Sequence, residues 1–314
     1  MAEVFVVKAP GKALLMGEYA VLDGSPAVVA AVGCFAKASW EQAPVGPTKS
    51  PFVLAASRVV AEAIQPAGKH LPLGQPYVHS AAFFQDRRKL GLGSSAAVTV
   101  ATVGLLLEKA GFFIRDHLSW VHDLALQAHQ EAQGIQGSGA DIIASTWGGV
   151  RVLHAPAVET PLPAHVCLVT TSQSMSTASI LKIFYGLRVR VKLVVQRLAD
   201  AAQAFVLAWQ QAEQTRLFAA VEAAADGYRA LSGLLGIQLM TPDQEQIALH
   251  ARAEGGVAKP SGAGGGDIAA VFLPNADAQR SFAARLPTHL AVLPYGVTQI
   301  PGVRYIRPLA SGRM

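Results

Sequence analysis

The stretch Gly91-Leu92-Gly93-Ser94-Ser95-Ala96-Ala97 runs without a break into Val98, Val100, Val103, Leu105, Leu106 and Leu107, and its reading decides the fold. Residues Ser94 to Lys109 are apolar almost all round, the pattern of a helix buried on most sides. Two glycines and two serines therefore stand where a buried helix begins. Glycine permits close backbone approach, the amides of a helix N-terminus attract anions, and the hydroxyls can reach a phosphate oxygen or a magnesium ion. The segment describes a phosphate site. Arg87-Arg88-Lys89 precede it with only Leu90 between, and they read either as a local attraction for phosphate or as a solvated turn.

Two other phosphate loops fit less well. No G-x-x-x-x-G-K-[ST] occurs in the chain, so this is not a Walker A loop. The dinucleotide pattern is matched in degenerate form by Gly91-x-Gly93-x-x-Ala96, but Gln85-Asp86-Arg87-Arg88-Lys89 is not the apolar strand that fingerprint requires.

The rest of the chain sets the frame. With 314 residues, 51% hydrophobic and 15% charged, it can bury a large core and is globular; its length suggests two compact domains, with one large α/β domain left open. The charge of +5, from 26 Lys+Arg against 21 Asp+Glu, is too mild to imply a nucleic-acid partner without a larger basic cluster. Only Cys34 and Cys167 are present, which fits a reducing compartment and no disulfide framework. Met1 to Lys12 lacks a signal-peptide pattern and no apolar run approaches the roughly 20 residues that span a bilayer, so a cytoplasmic protein is expected.

Val4-Phe5-Val6-Val7 reads as a strand closed by a turn at Ala9-Pro10-Gly11, and Ala27 to Phe35 as a second, buried strand. Residues 41–51 read as a surface loop, about Asp116 to Gln133 as a helix, and His165 to Thr170 as a strand. Prolines 156, 161 and 163 put a domain boundary there, giving domains 1–160 and 161–314. Val194, Leu198, Ala201, Phe205 and Ala208 recur at helical spacing as core.

Two further loops strengthen the phosphate reading. Gly134-Ile135-Gln136-Gly137-Ser138-Gly139-Ala140-Asp141 ends in a carboxylate, as does Lys259-Pro260-Ser261-Gly262-Ala263-Gly264-Gly265-Gly266-Asp267. Both are costly to order without a ligand to face, because glycine loses the most backbone entropy on folding. With Lys12 they supply what phosphoryl transfer needs: amides for phosphates, a cation for developing charge and a carboxylate near the attacking oxygen.

On these motifs the chain resembles the GHMP kinase superfamily. The first motif is similar to Ala9-Pro10-Gly11-Lys12 through Gly17-Glu18-Tyr19, the second to Gly91 through Ala97, and the third to Ser261 through Asp267. Within the superfamily the likeness is strongest to the phosphomevalonate kinases, on Ala132-Gln133-Gly134-x-x-Gly137-Ser138-Gly139-x-Asp141, on Asp267 after Gly264-Gly265-Gly266, and on Ser174-Met175-Ser176-Thr177-Ala178. Mevalonate kinases typically have a proline where Gly137 stands and a cysteine at the end of the third motif. The resemblance implies a two-domain α/β (α+β) GHMP kinase fold, with a ribosomal-protein-S5-like N-terminal domain, a ferredoxin-like C-terminal domain and the active site in the cleft between them. It also implies ATP and Mg2+ as cofactors and 5-phosphomevalonate as the small-molecule substrate, with no nucleic acid or membrane as partner.

Residue by residue, the resemblance implies that Lys12 neutralises phosphate charge and Asp141 orients the attacking oxygen, although Asp141 would equally suit a helix N-cap. Lys89, Gly91, Leu92, Gly93, Ser94, Ser95, Ala96 and Ala97 are expected to hold the nucleotide. The acceptor is expected to meet Gly17, Glu18, Tyr19, Ser138, Gly139, Ser176, Thr177, Lys182, Ser261, Gly262, Ala263, Gly264, Gly265 and Asp267. Arg188 and Arg190 are further candidates for its phosphate, and Glu18 for pairing Lys12. Ser94, Ser95 and Glu131 are the candidate magnesium ligands; Gln130 occupies the position of the glutamate that mevalonate kinases carry, and one residue is a rotation of about 100° on a helix. Nine histidines show no metal-ligand spacing, and His129 reads as a helix-surface or core residue. Rival readings are a mevalonate, homoserine or sugar kinase of the same superfamily and a non-catalytic sensor on the same fold. Monomer and homodimer both remain open.

Overall fold

The computed structural model of the chain describes residues 6–41, 50–86, 88–134 and 137–306. Arg87, Ile135, Gln136, Val4 and Phe5 of the expected first strand, and residues 42–49 of the expected surface loop lie outside the described residues. The chain begins with strands β1 (Val6–Met16) and β2 (Ala27–Glu41), helix α1 (Pro51–Ile64) and β3 (Gln75–His79). A small ribbon of β4 (Phe84–Gln85) and β5 (Arg88–Lys89) leads to α2 (Ser94–Lys109), α3 (Leu118–Gln133) and α4 (Ala140–Trp147). Next come β6 (Val150–Leu153), β7 (His165–Thr170), α5 (Thr177–Gly186), α6 (Arg188–Gln210), α7 (Gln214–Leu235) and α8 (Pro242–Ala253). The last elements are β8 (Val257–Pro260), β9 (Ile268–Leu273), α9 (Ala276–Arg285), β10 (Ala291–Val292) and β11 (Arg304–Ile306).

These elements form two compact units that interleave along the chain. The first takes residues 1–12, 31–149 and 299–314, and the second 13–30 and 150–298. They therefore do not coincide with a single cut at residue 160.

In the first unit the strands lie in the order β11-β1-β2-β3. β11 runs antiparallel to β1, from Val6 opposite Ile306 to Lys8 opposite Arg304. β3 runs antiparallel to the end of β2, with Lys37 opposite His79. Against them lies α2, in which every residue from Ala96 to Leu107 is buried. A helix apolar all round needs cover all round, and α1, α3 and α4 supply it. The ribbon of β4 and β5 stands where a dinucleotide-binding fold would need an apolar core strand, so that reading falls.

The turn expected at Ala9-Pro10-Gly11 is absent, because β1 runs straight through it to Met16. Pro10 has no N–H to give a neighbouring strand. β11, however, registers only with Val6 to Lys8, so on that side no rung is lost. Two residues further, the Lys12 N–H donates to the Leu92 carbonyl at 2.9 Å, which ties the strand to the glycine loop.

The second unit is built on an antiparallel sheet in the order β10-β7-β9-β8. Its longest pairing runs from His165 opposite Leu273 to Thr170 opposite Ile268. All of β8 and β9 is buried. α6 and α7 pack along each other, and α7 and α8 pack on β8. Val194, Leu198, Ala201, Phe205 and Ala208 are buried on α6, as their spacing predicts. β6 pairs with the start of β2, Ala27 opposite Leu153. Strand and helix are thus mixed in both units, the α/β class expected.

Candidate active site

In the first unit Lys12, Gly93 and the residues of the glycine loop come together at the start of α2. Gly93 is the residue before that helix and has φ +71°, a left-handed conformation that side chains resist. A Cβ there would lie 2.7 Å from Cγ of Lys12, so the lysine's aliphatic stem passes directly over this glycine. Gly11 makes the matching approach on the strand: a Cβ on it would sit 2.6 Å from the Leu92 carbonyl oxygen. Leu90 and Leu92 are buried and anchor the loop from beneath.

The Lys12 ammonium ends 3.1 Å from Oδ1 of Asp141, with the two side chains 15% and 35% exposed. Asp141 stands in the first turn of α4, where a negative charge suits the helix dipole. The residue before that helix is Gly139, so the N-cap alternative for Asp141 does not hold. Ser138 is exposed and its hydroxyl accepts from the Ala140 N–H at 3.4 Å.

Ser95 has a partner that sequence reasoning passed over. Nε2 of His129 lies 3.2 Å from Oγ of Ser95, and the buried imidazole stacks on Phe52 with centroids 5.3 Å apart. Burial lowers the His129 pKa below its ordinary value, Asp141 opposes that and Lys12 reinforces it, so the ring is neutral at neutral pH. Ser94 to Ala97 form the first turn of α2, while Lys89 is exposed on β5. Glu131 is not brought to this group: its carboxylate accepts from Nε of Arg58 at 3.0 Å, and the same guanidinium pairs Glu62 on α1. The arrangement turns the α3 glutamate, a candidate magnesium ligand, toward α1 instead.

In the second unit Gly17-Glu18-Tyr19 and the third glycine loop meet. Glu18 was a candidate partner for Lys12, but its Oε1 accepts from Nζ of Lys259 at 2.5 Å and from the Gly262 N–H at 3.2 Å. Tyr19 donates its hydroxyl to the Ala263 carbonyl, and Tyr228 donates to the Gly262 carbonyl. The Ser261 hydroxyl donates to the Leu14 carbonyl at 2.9 Å. Gly264 and Gly265 continue this loop to Asp267, whose Oδ1 is buried without a hydrogen-bond partner among the described residues. Gly17, at φ +93°, opens the turn that carries Glu18.

The remaining acceptor candidates lie on and beside α5. Ser176 caps that helix, accepting from the Ser179 N–H at 3.5 Å, and Thr177 is its first residue. Lys182 and Arg190 are exposed. Arg188 pairs Asp23 and lies over the rings of Phe184 and Tyr185, so much of its charge is already answered.

Four residues with work to do had no role in the sequence reading: Gly11, His129 and Lys259, which it quoted, and Tyr228, which it did not. Lys259 carried a readable signal, being the one charge in the apolar stretch Val257-Ala258-Lys259-Pro260 just before a glycine loop. His129 and Tyr228 carried none, since each becomes informative only through a partner far away in sequence.

Known proteins resemble this chain in sequence and in fold. Residues 69–149, which include the glycine loop and Asp141, match the family described as GHMP kinases N terminal domain. A phosphomevalonate kinase of Streptomyces sp. (strain CL190) is 28% identical across 87% of this chain and 90% of its own length. A mevalonate kinase of Archaeoglobus fulgidus is also 28% identical, across 83% of this chain and 89% of its own. Among solved structures, Streptococcus pneumoniae phosphomevalonate kinase in complex with phosphomevalonate and AMPPNP superposes with a TM-score of 0.75, at 18% identity over 92% of this chain and 99% of that one. With the second motif seated at the start of α2 and Lys12 laid across it, the chain has the GHMP kinase fold, and its residues 69–149 match the GHMP kinases N terminal domain.

Proposed function

We propose that this chain is a phosphomevalonate kinase, moving the γ-phosphate of ATP onto the phosphate of 5-phosphomevalonate to give 5-diphosphomevalonate and ADP. The observation that carries the reading is Lys12, which crosses Gly93 at the start of α2 and ends on Asp141. A cation and helix amides beside one another suit the charge that builds on a transferring phosphoryl group. Asp141 orients the attacking oxygen through Lys12. It need not remove a proton, because a phosphate monoester has its second pKa near about 6 and is already largely a dianion at neutral pH.

The hydroxyls of Ser94 and Ser95 are hard oxygen donors and fit Mg2+, which would supply charge neutralisation between the nucleotide's phosphates. Among the described residues no group of three or more His, Cys, Asp or Glu is placed to hold a metal ion. The serines would therefore share the ion with the phosphates, as magnesium sites commonly do. Nε2 of His129, at 3.2 Å, helps hold the Ser95 hydroxyl in place.

The acceptor rests on Gly137, on Asp267 and on the Streptomyces relative; the Archaeoglobus relative makes a mevalonate kinase the second reading. Among the described residues no helix is long and apolar enough to cross a membrane. We place the protein in the cytoplasm, as a monomer or homodimer.

An ADP-release assay with 5-phosphomevalonate, mevalonate, homoserine and galactose tests the assignment. Turnover is expected with 5-phosphomevalonate. Turnover confined to mevalonate replaces the first reading with the second, and nucleotide binding without turnover on any acceptor leaves a sensor.

A further inference from the structure

The third glycine loop is held by charges that are wholly out of water. Lys259 is 0% exposed and Glu18 4%. Besides Glu18, the ammonium donates to the Pro260 carbonyl at 2.7 Å and lies 5.7 Å from the centre of the Tyr228 ring. Glu18 and Tyr228 then grip opposite ends of one residue, Gly262: the carboxylate accepts from its N–H, and the phenol donates to its carbonyl. Tyr19 takes the next carbonyl, that of Ala263. Four side chains thus fix the main chain at Pro260, Gly262 and Ala263.

Stability alone does not call for such a pair. Two charges of this kind, removed from water, are commonly replaced by apolar groups of similar volume with no loss of stability. The backbone around them is strained as well. Tyr19 has φ +62° and Asp267 φ +55°, conformations that non-glycine residues hold only where the surroundings over-determine them.

We infer that Glu18 and Lys259 form a buried positioning pair, extended by Tyr228, that sets the conformation of Ser261–Asp267, and that Glu18 is not a contact of the acceptor. The inference rests on the proposed reading for its kinetic consequence, since that loop is where the acceptor is expected. Its structural consequence is independent of the reading. The pair acts by geometry: it presents the loop's remaining amides and the Asp267 carboxylate in one fixed arrangement, so a ligand meets them without an ordering cost.

The test uses the full chain and three variants: E18Q, the double variant E18Q/K259M, which removes both charges and keeps the volume, and Y228F, which removes one hydroxyl. Amide hydrogen exchange over 261–267 is measured together with melting temperature and steady-state kinetics. In the double variant, faster exchange in the loop is expected at a near-unchanged melting temperature, with kcat about 100-fold lower and KM for ATP within a few-fold, since displacement of about 1 Å at a reacting centre has that effect. Y228F is expected to show the same changes in smaller measure, and it decides the matter if the double variant does not fold. Wild-type exchange and kinetics in a folded double variant or in Y228F would overturn the inference. A tighter KM split would do so too: if E18Q weakens acceptor binding while the loop stays protected, Glu18 touches the substrate. If the wild-type protein turns over no acceptor, the proposed function fails and the exchange result still judges the pair.

Discussion

Two lysines show how one residue type is put to opposite uses by its surroundings. Lys12 keeps part of its side chain in water and pairs a partly exposed aspartate, a setting that suits the meeting with an incoming phosphate proposed for it. Lys259 is sealed against Glu18, and burial holds its pKa below the ordinary lysine value even with that carboxylate beside it. The first suits chemistry and the second suits architecture. Lys12→Met and Asp141→Asn are therefore expected to lower kcat by about 100-fold or more while ATP affinity changes only a few-fold, the pattern of an interaction made mainly in the transition state. Turnover assays paired with nucleotide titration check this. Unchanged kcat in both variants would place the active site elsewhere.

At the level of elements, the meeting of β1 with the loop before α2 depends on two missing side chains, at Gly11 and Gly93. Gly93→Ala must both adopt a left-handed backbone and push aside the Lys12 stem, at a cost of about 1–3 kcal/mol. The expected outcome is a protein that melts several degrees lower and has lost most of its turnover, measured by thermal unfolding and the ADP assay; full activity would show that Lys12 need not lie over the glycine. This contact also marks where the sequence was legible and where it was not. α2 runs from Ser94 to Lys109 as its all-round apolar pattern predicts, and β7 from His165 to Thr170. Periodicity reports burial, and α2 is buried from Ala96 to Leu107 and β7 from Cys167 to Val169. Pro10-Gly11 misled because local chemistry there argues for a turn, whereas β11, brought from the other end of the chain, decides where the strand needs hydrogen bonds. The glycine loops and Lys12 were legible as motifs. The Lys12–Asp141, Glu18–Lys259 and Ser95–His129 partnerships were not, because each joins residues far apart in sequence and no local pattern encodes a long-range pair.

For the molecule as a whole, the two cysteines offer a probe in each unit. Cys34 lies in the first and Cys167 in the second, and both are buried. Burial pushes the Cys167 thiol up to about 12, so almost none of it is thiolate at neutral pH. The native protein is expected to resist a thiol reagent at Cys167 until the second unit opens. Mass-resolved labelling along a urea series then reports each unit by its own cysteine, and both sites are expected to become reactive over the same urea range. Labelling of one well before the other would show that the units unfold independently. The expectation comes from the interleaving: the backbone passes from one unit to the other between residues 12 and 13, 30 and 31, 149 and 150, and 298 and 299. A chain threaded in this way is also constrained while it is being made. The partners of Val6 to Lys8 in β11, Arg304 to Ile306, are translated almost 300 residues after them. Until those residues are made, this edge of β1 has no native mate, and the nascent chain is one that a holding chaperone would be expected to shield.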